Sequence, residues 1–115
     1  MSALQEEFAQ SAARLIQYAA EMGYGVTLGE AWRTPEQAAV DAAKGIGVAD
    51  SLHTERLAID LNLFIAGEYE ADDSSGCYRI LGVWWKNLGP NYRWGGDFKI
   101  VDLDHYSLSP DGVRG

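Results

Sequence analysis

Apolar residues recur at helical spacing from the start of the chain: Leu4, Phe8, Leu15, Ile16, Ala19 and Met22 share one face, and Gly23 follows. This pattern predicts an amphipathic helix over residues 3–22, opened by a Ser2–Gln5 capping box and laid against a sheet. Gly25 to Trp32 reads as a short strand. Thr34, Pro35 and Gln37 then supply an N-cap, a proline at the first helical position and a capping-box partner, so a second helix should run from there to a stop at Gly45. Residues 45–52 lack periodicity and read as a loop delivering His53.

From Leu57 the period falls to two. Leu57, Ile59, Leu61, Leu63 and Ile65 alternate with Ala58, Asp60, Asn62 and Phe64, which predicts a strand with one aliphatic face and Asp60 on the other. The small Ala58 leaves room beside Asp60. Ala66-Gly67 predicts a hairpin turn, and the acidic, serine-rich run Glu68 to Gly76 an exposed loop. Tyr78, Leu81, Trp84, Trp85 and Leu88 fit a third helix stopped at Gly89-Pro90, its tryptophans serving the core. Arg93 to Gly96 leads through a Gly-Gly turn into an expected strand at Phe98 to Val101, with Asp102 and His105 just beyond it. The sum is an α+β fold, a small antiparallel sheet against about three helices, in a single domain over residues 1–115.

Nine basic residues against 17 acidic ones give a formal charge of -8. Nucleic-acid binding draws most of its affinity from Lys and Arg on phosphates, so that class is excluded. The single cysteine, Cys77, rules out an intrachain disulfide and a cysteine-based zinc cluster, and is expected to be a small buried residue. The first residues carry neither a basic region nor an apolar run, and no later segment approaches the roughly 20 apolar residues of a membrane span. Neither a secretory signal nor membrane insertion is expected.

The chemistry-bearing residues are few. Both histidines lie beside carboxylates, in Ser51-Leu-His-Thr-Glu-Arg-Leu-Ala-Ile-Asp60 and in Asp102-Leu-Asp-His105. Two imidazoles and one carboxylate would complete a catalytic zinc set, which takes three protein ligands and keeps a fourth position for water.

The order Ser51-x-His53, Ala58-x-Asp60 and Asp102-x-x-His105-Tyr106 resembles the M15 zinc peptidases, which comprise D-alanyl-D-alanine carboxypeptidases and dipeptidases and phage L-alanyl-D-glutamate endopeptidases. Trp32-Arg33-Thr34-Pro35-Glu36-Gln37 is similar to the family's arginine before a Pro-Glu-Gln helix start, and Trp94-Gly95-Gly96-Asp97-Phe98 to the run before the last ligand in the endopeptidase branch. Arg56 stands where the family usually has glycine. The resemblance implies a Hedgehog/DD-peptidase-like fold, Zn2+ on His53, Asp60 and His105, and Asp102 as the general base. Strand alternation would put Asp102 and Asp104 together on one side and His105 on the other, so the preference for Asp102 over Asp104 rests on the resemblance. Arg33 is matched to an oxyanion-stabilising arginine, with a structural ion pair as the alternative. Ser51 either contacts substrate or braces its loop. Trp94 is assigned to substrate binding as a wall of the cleft, and Asp97 to shaping the turn.

The implied function is hydrolysis of peptidoglycan peptides, as a monomeric phage endolysin held in the host cytoplasm, or carried in a virion, and dependent on a holin-like membrane-permeabilising partner. Its acidic surface would gain nothing from anionic wall polymers, so recognition would come from the cleft. The rivals are a D-alanyl-D-alanine carboxypeptidase and a non-catalytic virion or wall-binding module.

Overall fold

A computed structural model describes residues 2–45 and 51–115. The chain runs through helix α1 (Ser2–Glu21), strand β1 (Gly25–Leu28), helix α2 (Pro35–Ala43), a 3₁₀ turn (Leu52–Glu55), strands β2 (Ala58–Ile65) and β3 (Glu68–Tyr69), helix α3 (Cys77–Lys86), strand β4 (Tyr92–Trp94), a second 3₁₀ turn (Gly95–Asp97) and strand β5 (His105–Leu108). The strands form one antiparallel sheet in the order β1-β2-β5-β4, with β3 also paired to β2. This is the expected α+β architecture with three helices. No helix among the described residues is long and apolar enough to cross a membrane.

The aliphatic face of β2 supplies Ile59, Leu61 and Leu63 to the core, and Leu57 just before the strand adds to it. Phe8, Ala12, Leu15 and Ala19 of α1 and Cys77, Tyr78, Leu81 and Trp85 of α3 join them there. Trp85 is fully buried, donates its indole N–H to Ser107 O at 2.9 Å and meets Phe8, Tyr92 and Tyr106 edge-on. Trp84, one residue earlier on the helix, packs from the rim, stacked on Tyr18.

Local signals behave unevenly. Thr34 caps α2 as expected, its Oγ1 accepting from Gln37 N–H at 2.9 Å, but the Gln37 amide turns away to Asp41, leaving the capping box half made. Ser2 lies inside α1 and bonds Glu6, while Gln5 reaches across to donate to Glu55 O at 2.8 Å, so the Ser2–Gln5 box does not form. The expected loop before His53 falls largely on residues 46–50, outside the described residues.

Three expectations need correction. The strand starting at Gly25 ends at Leu28, although Gly29 N–H still donates to Asp60 O and Asp60 N–H to Glu30 O. The run after Glu68 is less exposed than its polarity suggests. Glu70 is buried and accepts from Ser75 N–H, Ser75 Oγ and Cys77 Sγ, and Asp73 accepts from Tyr78 N–H at the start of α3. Finally, Phe98 to Val101 is no strand. Ile100 is 87% exposed, and regular pairing occurs on either side, in β4 and β5. Phe98 N–H and Asp102 N–H both turn back to Gly95 O, which uses the backbone groups a strand would need.

Candidate metal centre

β2 and β5 set the centre of the site by register. Asp60 lies directly opposite His105. The flanking ladder bonds, Leu61 N–H to Asp104 O and Leu108 N–H to Leu57 O, make Asp60–His105 a non-hydrogen-bonded pair, the closer type, with both side chains on the face away from the aliphatic core. Gly29 keeps that face open. A Cβ there would stand 3.0 Å from Asp60 Cβ.

His53 arrives from outside the sheet. Ser51 caps its 3₁₀ turn, accepting from His53 N–H at 3.2 Å, and Arg33 N–H donates to His53 O. The turn closes at Arg56, which takes the left-handed backbone with φ 59. A glycine adopts that conformation freely, whereas a residue with a Cβ is strained there by about 1–2 kcal/mol. Here the Arg56 guanidinium lies 4.4 Å from the Trp32 ring centroid, a cation–π contact that offsets part of the cost.

His53 Nε2 stands 3.2 Å from Asp60 Oδ1, and His105 Nδ1 stands 3.5 Å from the same oxygen. Tetrahedral zinc with bonds of about 2.0–2.2 Å separates its ligand atoms by roughly 3.3–3.6 Å. Both distances from Asp60 Oδ1 are close to that range, and the three ligand atoms all lie within 4.8 Å of one another, so the group could hold one ion. Asp60 Oδ1 and His53 Nδ1 are both buried without a hydrogen-bond partner, an expensive arrangement unless a cation takes up the oxygen. Burial alone would raise the Asp60 pKa, but the two imidazoles outweigh it and hold the carboxyl at about 2. Burial likewise opposes the charge on His105, yet Asp60 beside it raises its pKa. Each ring has an oxygen behind it: Glu30 Oε1 lies 3.8 Å from His53 Nδ1, and Gly115 O lies 2.5 Å from His105 Nε2.

Asp102 and Asp104 stand beside this triad and, with Asp60, form a carboxylate group whose oxygens lie within 4.8 Å of one another. Because residues 98–104 are turns, the alternation expected to separate Asp102 from His105 does not operate. His105 N–H donates to Asp102 O, and Asp102 Oδ2 sits 3.9 Å from His105 Nδ1. Asp102 is 54% exposed at the rim, whereas Asp104 is half-buried, its carboxyl pushed up to about 7 by burial and by a hydrogen bond with Asp102. Gly95 makes the turn possible, since a Cβ there would lie 2.0 Å from Asp102 O.

The remaining candidates have other partners. Arg33 is mostly buried and ion-paired to Glu30, with Asp41 at 3.9 Å, so its guanidinium is held in the structural alternative. Ser51 braces the His53 turn. Trp94 is only 6% exposed, donates its indole N–H to Leu103 O at 2.7 Å, and packs against Gly82 and Gly96 so tightly that neither could carry a Cβ. Its assignment to substrate binding is therefore corrected: the ring props up the 95–104 turn from beneath. Asp97 pairs with Lys86 at 2.7 Å. Cys77 is buried as expected. Glu30 and Gly115 were not legible as site residues, because neither belongs to a periodic pattern and one contributes only a backbone oxygen.

No protein-family model and no curated protein matches the chain. Among solved structures, the Serratia marcescens L-Ala D-Glu endopeptidase ChiX matches over 90% of this chain and 79% of its own, with a TM-score of 0.73 and 18% sequence identity. The two chains share a fold. At that identity the likeness concerns architecture, and the chemistry rests on the residues described above.

Proposed function

We propose that the chain is a zinc peptidase of the M15 type that hydrolyses the peptide part of peptidoglycan, cleaving L-alanyl-D-glutamate as a phage endolysin. The observation that carries this reading is the convergence of His53, Asp60 and His105 on the sheet face away from the aliphatic core, with both imidazoles within 3.5 Å of Asp60 Oδ1. A shared fold with an L-Ala D-Glu endopeptidase supports the choice of substrate.

His53 Nε2, Asp60 Oδ1 and His105 Nδ1 would hold the ion. Bound there, zinc would polarise the scissile carbonyl and make a water acidic enough to attack near neutral pH. Asp102, at the exposed rim 3.9 Å from His105 Nδ1, would serve as the general base that takes a proton from the attacking water and returns it to the leaving amine. Burial and the neighbouring Asp102 raise the Asp104 carboxyl's pKa, which makes it the poorer of the two bases for that task. Arg33 holds the Glu30 carboxylate near His53 Nδ1, and stabilisation of an oxyanion would require its release from Glu30. Ser51 supports the His53 turn.

In this reading the protein acts as a monomer, waits in the host cytoplasm or travels in the virion, and reaches the wall once a holin-like partner has opened the membrane. Digestion of purified Gram-negative sacculi should release new L-alanine amino termini and leave the glycan strands intact. Free D-alanine without loss of turbidity would identify a carboxypeptidase, and binding without any product would identify a non-catalytic wall module.

A further inference from the structure

Residues 111–115 make a set of contacts that the chemistry above leaves unused. Asp111 Oδ1 accepts from Ser109 Oγ at 3.0 Å, Val113 N–H at 2.9 Å and Arg114 N–H at 3.2 Å, which folds the segment into a tight turn. Gly112 within it has φ 73, and a Cβ there would come 2.8 Å from Asn91 Oδ1. From this turn three attachments reach three separate elements. Arg93 of β4 donates to Val113 O. Arg114 Nη1 donates to Glu55 Oε2 at 2.5 Å, on the turn that carries His53. Gly115 O meets His105 Nε2, with Gly115 lying against the Phe98 ring so closely that a Cβ would approach Phe98 Cζ to 2.5 Å.

An acceptor at Nε2 keeps the imidazole proton on that nitrogen and leaves the Nδ1 lone pair directed toward Asp60. The segment therefore touches the mounting of both histidines, one through its ring and the other through its turn. We propose that residues 111–115 are a positioning segment for the metal centre, in which Gly115 O sets the His105 tautomer and the Arg114–Glu55 pair keeps the His53 turn in register with it. The tautomer part stands on geometry alone, while the effect on metal affinity rests on the zinc reading above.

The test compares the full chain with a form lacking residues 113–115, with Arg114→Ala, and with Arg114→Lys as the conservative variant. In metal-free protein at alkaline pH, ring-nitrogen NMR should show His105 as the Nε2–H tautomer, becoming a mixture when residues 113–115 are removed. Zinc affinity, read by competition with a chromophoric chelator, should fall about 10- to 100-fold in the shortened form. Arg114→Ala should lose roughly tenfold, with Arg114→Lys recovering most of it. Thermal unfolding of the metal-free forms reports folding separately. An unchanged tautomer in the folded, shortened protein would overturn the proposal, and if that form fails to fold, an unchanged zinc affinity in Arg114→Ala would do so. A full chain that binds no zinc but shows the expected tautomer change would overturn the metal reading and leave the positioning role supported.

Discussion

Two kinds of scaffold meet at the centre. Asp60 and His105 stand on adjacent strands, opposite one another in a ladder, so their relative position is set by register and cannot shift without moving the whole buried face of β2. His53 and Asp102 stand on turns, each held by a few specific bonds: the Ser51 cap and the Arg33 and Gln5 bonds for the first turn, and the two returns to Gly95 O for the second. The strand pair supplies a rigid half-site. The turns add His53 and Asp102, which must be placed individually, and such positions are the more sensitive to single substitutions.

The largest expected effect is loss of the turn-borne ligand. His53→Ala should abolish stoichiometric zinc, measured by elemental analysis, and with it activity, while the β2–β5 pair stays folded by circular dichroism. Chelation of the wild-type protein should remove activity and added zinc restore it. Retention of zinc at wild-type affinity in His53→Ala would remove His53 from the ligand set.

Next in size is the chemistry of the second turn. Asp102→Asn should keep zinc and lower turnover by about 10²- to 10⁴-fold, the range for a general base, whereas Asp104→Asn should cost much less. A reversal of the two effects in steady-state kinetics would transfer the role to Asp104.

Gly95→Ala probes the turn itself. Its Cβ has no room before Asp102 O, so the backbone must move, at a cost of about 1–3 kcal/mol in urea unfolding. Turnover should fall by more than zinc affinity, because the Cβ meets Asp102 O at 2.0 Å but His105 Cβ, which the ladder holds, at 2.9 Å. Equal losses in both would mean that the turn and the ladder move as one.

The smallest effect is expected at Arg56→Gly. Relief of the left-handed strain, about 1–2 kcal/mol, is opposed by loss of the Trp32 contact, about 0.5–1 kcal/mol, and by the greater freedom of glycine in the unfolded chain, about 0.5–1 kcal/mol. Stability in urea should therefore stay within about 1 kcal/mol of wild type, and a larger loss would show that Arg56 does more than stack.

Periodicity determined most of the architecture. The 3.6-residue stripe of α1, the alternation of β2 and the Thr34-Pro35 start of α2 are local patterns whose consequence is burial of one face, and burial is what folding enforces. The convergence of His53, Asp60 and His105 was likewise legible, since the chain has only two histidines and each has a carboxylate nearby in sequence. Tertiary structure alone decided the rest. Phe98 to Val101 has strand-like residues but forfeits its ladder to the closing bonds on Gly95, and Trp94 sits beneath that turn because Gly82 and Gly96 leave space for its ring. Arg33 finds Glu30, and Gly115 finds His105 from ten residues away. These are single contacts between groups brought together by the packing of other residues, and a contact made once leaves no repeating trace in the order of amino acids.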